Sequence, residues 1–172
     1  MFLLILSILI IFKVYVTAQI SIQNIPKENY EIAQYIKKAA FSITWKVPSQ
    51  WIELEQTKFR KGNYVTINGA QITITSFPGQ VGSDLNNINR WRNQLNLPPI
   101  KSLKDKNIVT KIKTNEKTIK LITIKNKQKA MSTAIYKNKN ETWFFKLTGS
   151  TEQVVKNKRD FIKLIKSIKK TK

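Results

Sequence analysis

A chain of 172 residues, 41% hydrophobic and 24% charged, has the size and balance of one folded domain and not of a disordered segment. Cysteine and histidine are both absent, which excludes disulfides, thiol nucleophiles, Cys/His zinc sites and Ser-His or Cys-His catalysis. The formal charge of +21 sets ten carboxylates against 31 basic side chains, which disfavours a calcium or magnesium cage and favours a polyanionic partner.

Residues 2–12 are strongly apolar except for Ser7, and Lys13, Val14-Tyr15-Val16, Thr17, Ala18 and Gln19 follow. The run has the length of a signal-peptide core and falls short of the about 20 residues that span a bilayer. Residues 1–18 therefore read as a signal peptide cleaved after Ala18, with Val16 and Ala18 at the small-residue positions, and the product as exported: periplasmic or otherwise extracytoplasmic. No Lys or Arg precedes the run and Lys13 interrupts it late, so a retained N-terminal anchor is the alternative, and a buried core element the third reading. Cleavage removes only Lys13 from the charge and leaves +20.

Residues 19–41 form a lead-in segment in which Ile32, Tyr35, Ile36, Ala39 and Ala40 recur at helical spacing after Pro26. The remaining 42–172 read as a single domain. Phe41 to Trp45 alternates as a strand, and Val47-Pro48-Ser49-Gln50-Trp51 turns; the two indoles are expected to plug one end of the core. Strands at 64–67 and 71–75 flank Asn68-Gly69-Ala70 as a hairpin, with Ile72 and Ile74 inward. After the loop 77–83, Ser83 or Asp84 caps a helix to about Asn96, ended by Leu97-Pro98-Pro99.

Leu85, Ile88, Trp91 and Leu95 fall within a roughly 120° arc of that helix and form its packing stripe. Arg90 and most asparagines face away. Arg92 falls beside the stripe, so its guanidinium needs a carboxylate or carbonyl partner. Four strands follow, around 108–113, 118–125, 131–137 and 142–148. In the last, Trp143, Phe145 and Leu147 share one face while Phe144 and Lys146 take the other, the pattern of a central strand. Gly149 breaks it, and Ser150 with Gln153 makes a capping box for a helix to about Lys169. Val154, Phe161, Ile165 and Ile168 form the buried side of this helix, with Lys158 intruding by its aliphatic stem. The order of elements predicts an α+β fold, a largely antiparallel sheet covered by helices.

Thr44-Trp45-Lys46-Val47-Pro48-Ser49-Gln50-Trp51 at the start, Thr142-Trp143-Phe144-Phe145-Lys146-Leu147-Thr148-Gly149 near the end and the helix after it resemble the Mog1/PsbP-like fold over about residues 42–169. The segment Asn89-Arg90-Trp91-Arg92-Asn93-Gln94-Leu95-Asn96-Leu97-Pro98-Pro99 looks like the signature of a bacterial exported family with the same ends. That superfamily includes thylakoid-lumen photosystem subunits and a partner of a small nuclear GTPase. The resemblance implies a fold and a bias toward binding or assembly over catalysis. It supplies no binding residue to carry over, and the lack of histidine departs from metal-assisting lumen members.

Two constellations could bind. Arg90 and Arg92 flank Trp91 among amides, a forked-donor arrangement for an anionic or planar group, although the same residues could simply tie the helix to the Pro-Pro exit. Between Lys101 and Lys139 stand twelve lysines against Asp105 and Glu116, a local balance of +10. Lys111, Lys113, Lys120 and Lys125 are its candidate contacts with an acidic protein or an anionic surface. The bland reading is a solvated, edge-protecting surface in a composition rich in Lys, Ile and Asn.

Nothing resembles a nucleic-acid motif, and Gly79-Gln80-Val81-Gly82-Ser83 matches no phosphate-binding pattern. Asn140-Glu141-Thr142 fits a glycosylation acceptor, which matters only in a glycosylating host. No cofactor, metal or active site is expected. The leading expectation is a non-catalytic extracytoplasmic binding or assembly protein of the cell envelope that engages an acidic partner. The alternative is a peripheral membrane or polyanion-binding protein acting through its lysine-rich surface.

Overall fold

Alternating apolar and polar residues carry seven segments of the chain into one antiparallel sheet. The computed structural model describes residues 42–57, 59–104 and 108–171; the expected leader (1–18), the lead-in helix (19–41) and Asp105 lie outside the described residues. The chain divides into two units, and Ile43–Lys170 is the one described here; residues 1–42 and 171–172 form the other, of which Ser42 and Thr171 alone are described.

The strands are β1 (Ile43–Thr44), β2 (Ile52–Glu53), β3 (Arg60–Val65), β4 (Gln71–Pro78), β5 (Val109–Lys113), β6 (Thr118–Lys125), β7 (Lys129–Lys137), β8 (Glu141–Ser150) and β9 (Lys169–Lys170); the helices are α1 (Asp84–Gln94) and α2 (Thr151–Lys166). Seven strands pair in the order β2-β3-β4-β8-β7-β6-β5, and β1 pairs with β9 in a separate ribbon. The chain leaves β4, crosses through α1 to the far edge, and meanders back through β5, β6 and β7 until β8 closes against β4. The α+β fold with an antiparallel sheet is therefore as expected.

Register assigns the faces. Val109, Ile122, Thr133, Lys146, Thr73 and Asn63 are successive cross-strand partners and share one face, the one on which α1 packs. Ile88, Trp91 and Leu95 close there over Ile122, Ile124, Met131, Ile135 and Phe144. The opposite face carries the buried Ile72, Ile74, Phe145, Leu147 and Leu121, with Val154, Phe161, Leu164 and Ile165 of α2 also buried. Both faces of β8 are covered in its middle, as its all-round apolarity requires. Of the two indoles near the start, Trp51 is buried and Trp45 packs edge-on to Trp143 and Phe145 at 5.9 and 5.6 Å.

Some expectations are corrected. Gly149 does not break β8, because it pairs with Ala130 and the strand runs on to Ser150. A Cβ at this position would meet Gln153 Oε1 at 2.6 Å, so glycine makes room for the capping box that starts α2. That helix stops at Lys166, and Lys169 and Lys170 leave it to pair with Thr44 and Ile43. Ile67 lies outside the hairpin strand and is 82% exposed, because Thr66 to Ala70 close the turn around Gly69 at φ 84°. α1 ends at Gln94, and within it Leu85 is only half-buried while Asn87 is buried.

Candidate functional site

One corner of the α1 face is built from lysines. Lys111 of β5 pairs with Lys120 of β6, and one row along Lys113 pairs with Thr118, so all these residues lie on the same side of the sheet. Lys137 of β7 enters the same corner. Ser83 caps α1 by accepting from the Asn86 amide at 3.1 Å, which places Asp84 in the first turn directly over these lysines. Asp84 accepts from Lys120 Nζ at 2.7 Å and from Lys137 Nζ at 3.0 Å. Burial pushes the Asp84 carboxyl up, but the hydrogen bonds and charges of Lys120 and Lys137 outweigh it and hold the group below its usual range.

A cavity of about 250 Å³ opens beside Asp84, walled by Lys117, Lys120, Lys137 and Ile135. Lys117 lies over the Tyr136 ring at 3.7 Å and donates to the Lys137 carbonyl. Burial first, then repulsion from Lys170, depresses the Lys117 ammonium against the opposing pull of Glu116. Glu116 itself accepts from the Tyr136 hydroxyl at 3.2 Å and from the Lys170 amide at 2.5 Å. Asp84 thus salt-bridges two of the four lysines of this corner, while Lys117 leans away to the Tyr136 side of the sheet.

On the other side of α1 the sheet face is different. Its floor is Thr73, Thr75, Lys146 and Thr148, all half-buried, while the buried side of α1 closes over β6, β7 and β8. Lys146 stands beside the buried Thr133, whose hydroxyl has no hydrogen-bond partner, and its Nζ lies 5.7 Å from the Trp91 ring centroid. Burial, reinforced by the charge of Arg90, holds the Lys146 ammonium below its usual range. Arg90 donates to Asn87 Oδ1 at 2.7 Å on the α1 wall, and Arg60 donates to Asn63 Oδ1 at 3.1 Å on the β3 side. Among the described residues none of Arg60, Arg90 and Lys146 is ion-paired with a carboxylate.

The residues singled out by sequence separate into groups. Lys111, Lys113 and Lys120 come together at the corner. Lys125, five residues beyond Lys120 in the same strand, falls on the opposite face. Arg92 donates through Nε to the Pro98 carbonyl at 2.7 Å, the carbonyl partner expected of it, and so ties the helix to the Pro-Pro exit. Asn89 does the same through both ends of its amide, which bond the Ile100 carbonyl at 3.0 Å and the Ile100 amide at 2.8 Å. Arg90 alone of that segment faces the open floor.

Sequence reasoning missed Asp84 and Lys137 at the corner and Lys146 and Arg60 in the groove. Lys146 did carry a signal, as the one charged residue within Trp143 to Leu147. Among the described residues no group of three or more acidic, Cys or His side chains could hold a metal, and no helix is long and apolar enough to cross a membrane.

No family model matches the chain, and no curated protein matches it. Solved structures similar to it include a protein of Bacteroides thetaiotaomicron, at 14% identity and a TM-score of 0.48 over 76% of this chain. The chain spans 46% of that protein's length. It is also similar to the cyanobacterial PsbP of Synechocystis, at 9% identity and a TM-score of 0.48, covering 75% of this chain and 92% of the other. A third is LpqN of Mycobacterium tuberculosis, described as involved in cell envelope biogenesis, at 14% identity and a TM-score of 0.45, covering 73% and 81%.

Proposed function

We propose that this chain is a non-catalytic binding or assembly protein that works outside the cytoplasm and engages an anionic partner of the envelope through its lysine corner. The observation that carries the reading is convergence: Lys111, Lys113, Lys120 and Lys137 meet at one end of one sheet face, where Asp84 bonds two of them and leaves the corner positive. Composition alone supplies many lysines but does not aim them at one place. A concentrated charge of this kind steers an oppositely charged partner and holds it in a salt-dependent way. Export rests on the apolar residues 2–12, and the absence of cysteine and histidine removes the common nucleophiles and proton shuttles.

The test is capture from envelope extracts with the full chain and with the double variant Lys111→Glu/Lys113→Glu, at low salt and near about 0.5 M salt, where charge attraction is screened to a few ångströms. Capture that is lost in the variant and at high salt supports the proposal. Recovery of nothing salt-sensitive overturns it. Co-sedimentation with anionic vesicles run in parallel assigns the same corner to lipid if the vesicles bind and the extracts do not.

A further inference from the structure

The groove beyond α1 gathers positive charge without the compensation seen at the corner. Lys120 and Lys137 are answered by Asp84, whereas among the described residues Lys146, Arg60 and Arg90 have no carboxylate. Lys146 is the most telling of the three, because a half-buried ammonium with a second cation nearby is costly to keep charged unless an anion visits it. Its present partner, the face of Trp91 at 5.7 Å, offsets only part of that cost. Around it the floor is flat and hydroxyl-bearing, with Thr73, Thr75 and Thr148 on adjacent strands.

We infer that this groove, between Arg60 on β3 and Arg90 on α1, receives an extended acidic peptide segment of the partner, with carboxylates seated on Lys146, Arg90 and Arg60. The inference rests on the reading of the chain as a binding protein for an anionic partner, and it names that partner as a protein. A planar bilayer reaches protruding cations and not one recessed in the floor of a sheet. A sugar chain would want an aromatic platform over Lys146, but the ring beside it, Trp91, is buried, Phe77 packs edge-on to Phe144 at 6.0 Å, and the exposed Phe59 stands outside β3. Guanidinium forks, in contrast, match carboxylates in pairs, and a strand-like peptide presents alternate side chains to a flat floor.

The experiment measures the anisotropy of a fluorescent peptide of alternating glutamate and threonine titrated with the full chain. Three variants are compared: Lys146→Met, the double change Arg60→Gln/Arg90→Gln, and the corner change Lys111→Glu/Lys113→Glu. Both groove variants should weaken the peptide by about tenfold or more. The corner variant should leave it within about threefold at moderate salt. The two arginines lie near the surface, so their variant keeps the question answerable if Lys146→Met does not fold.

Unchanged affinity in folded groove variants overturns the inference. Loss in the corner variant alone overturns it as well while sparing the proposed function. A Lys146-dependent displacement of the peptide by polyuronate or anionic vesicles overturns the peptide assignment. Failure of envelope extracts, vesicles and peptide alike removes both proposals together.

Discussion

At the scale of single residues, Asn89 ties down more backbone than the arginines beside it, because its amide satisfies both the carbonyl and the amide of Ile100. Asn89→Ala should cost about 1–3 kcal/mol, since it removes a donor and an acceptor from partly buried partners. Urea denaturation reads the change, and a shift below about 0.5 kcal/mol would place those groups in water instead. Buried tyrosines and half-buried lysines set the response to alkali. Burial pushes Tyr64 and Tyr136 up to about 12, the first eased by a hydrogen bond from Trp45 and raised again by Glu53, the second raised further by Glu116. A raised folded value means the native state keeps its proton longer than the unfolded chain, so stability is full below about pH 10 and falls between there and about pH 12. Tyr64→Phe and Tyr136→Phe should each flatten that fall, which melting curves across the range will register. Lys146 acts with the opposite sign. Its folded value is depressed, so its cost is present at neutral pH and is relieved as pH rises toward its usual 10.5, and Lys146→Met should abolish this gain.

At the scale of elements, the junction of β8 and α2 is the tightest device in the molecule. Ser150 accepts from the Gln153 amide at 3.2 Å, Gln153 Oε1 accepts from the Ser150 amide at 2.8 Å, and Gln153 Nε2 reaches the Asn68 carbonyl at 2.5 Å to pin the hairpin turn. Ser150→Ala should cost about 1 kcal/mol. Gly149→Ala should cost a similar amount by driving a Cβ into Gln153, and the double variant should cost less than the sum because both changes break one box. Strict additivity in thermal melts would show that the two act separately. The capping box was legible in the sequence because it is a four-residue pattern, and β6 and β8 were legible because β-branched and aromatic residues dominate eight or more consecutive positions. β2 and β9 were not, since two residues have no period. The site divides in the same way. The separation of Lys120 from Lys125 follows from odd spacing in one strand, whereas the meeting of Lys111 with Lys120, or of Arg60 and Arg90 around Lys146, depends on register and on the crossing of α1, which no local pattern encodes.

At the scale of the whole molecule, a chain of +21 repels itself when it folds, and the surface ion pairs among the described residues are exposed enough to return little. Screening should therefore stabilise it: the melting temperature should rise as sodium chloride goes from about 0.01 M to about 0.2 M, while the Debye length shrinks from about 30 Å to below 10 Å. Lys111→Glu/Lys113→Glu lowers the formal charge from +21 to +17, because each reversal removes two charges, and it leaves the Asp84 bonds to Lys120 and Lys137 in place. This variant should melt higher than the parent at low salt and gain less from added salt. The comparison separates function from composition. A corner kept for binding trades stability for a positive surface, so the variant should gain in melting temperature and lose its partner together. A corner that merely reflects an abundance of lysine should show the same thermal gain with capture unchanged, and that pair of results would return the lysines to the solvent.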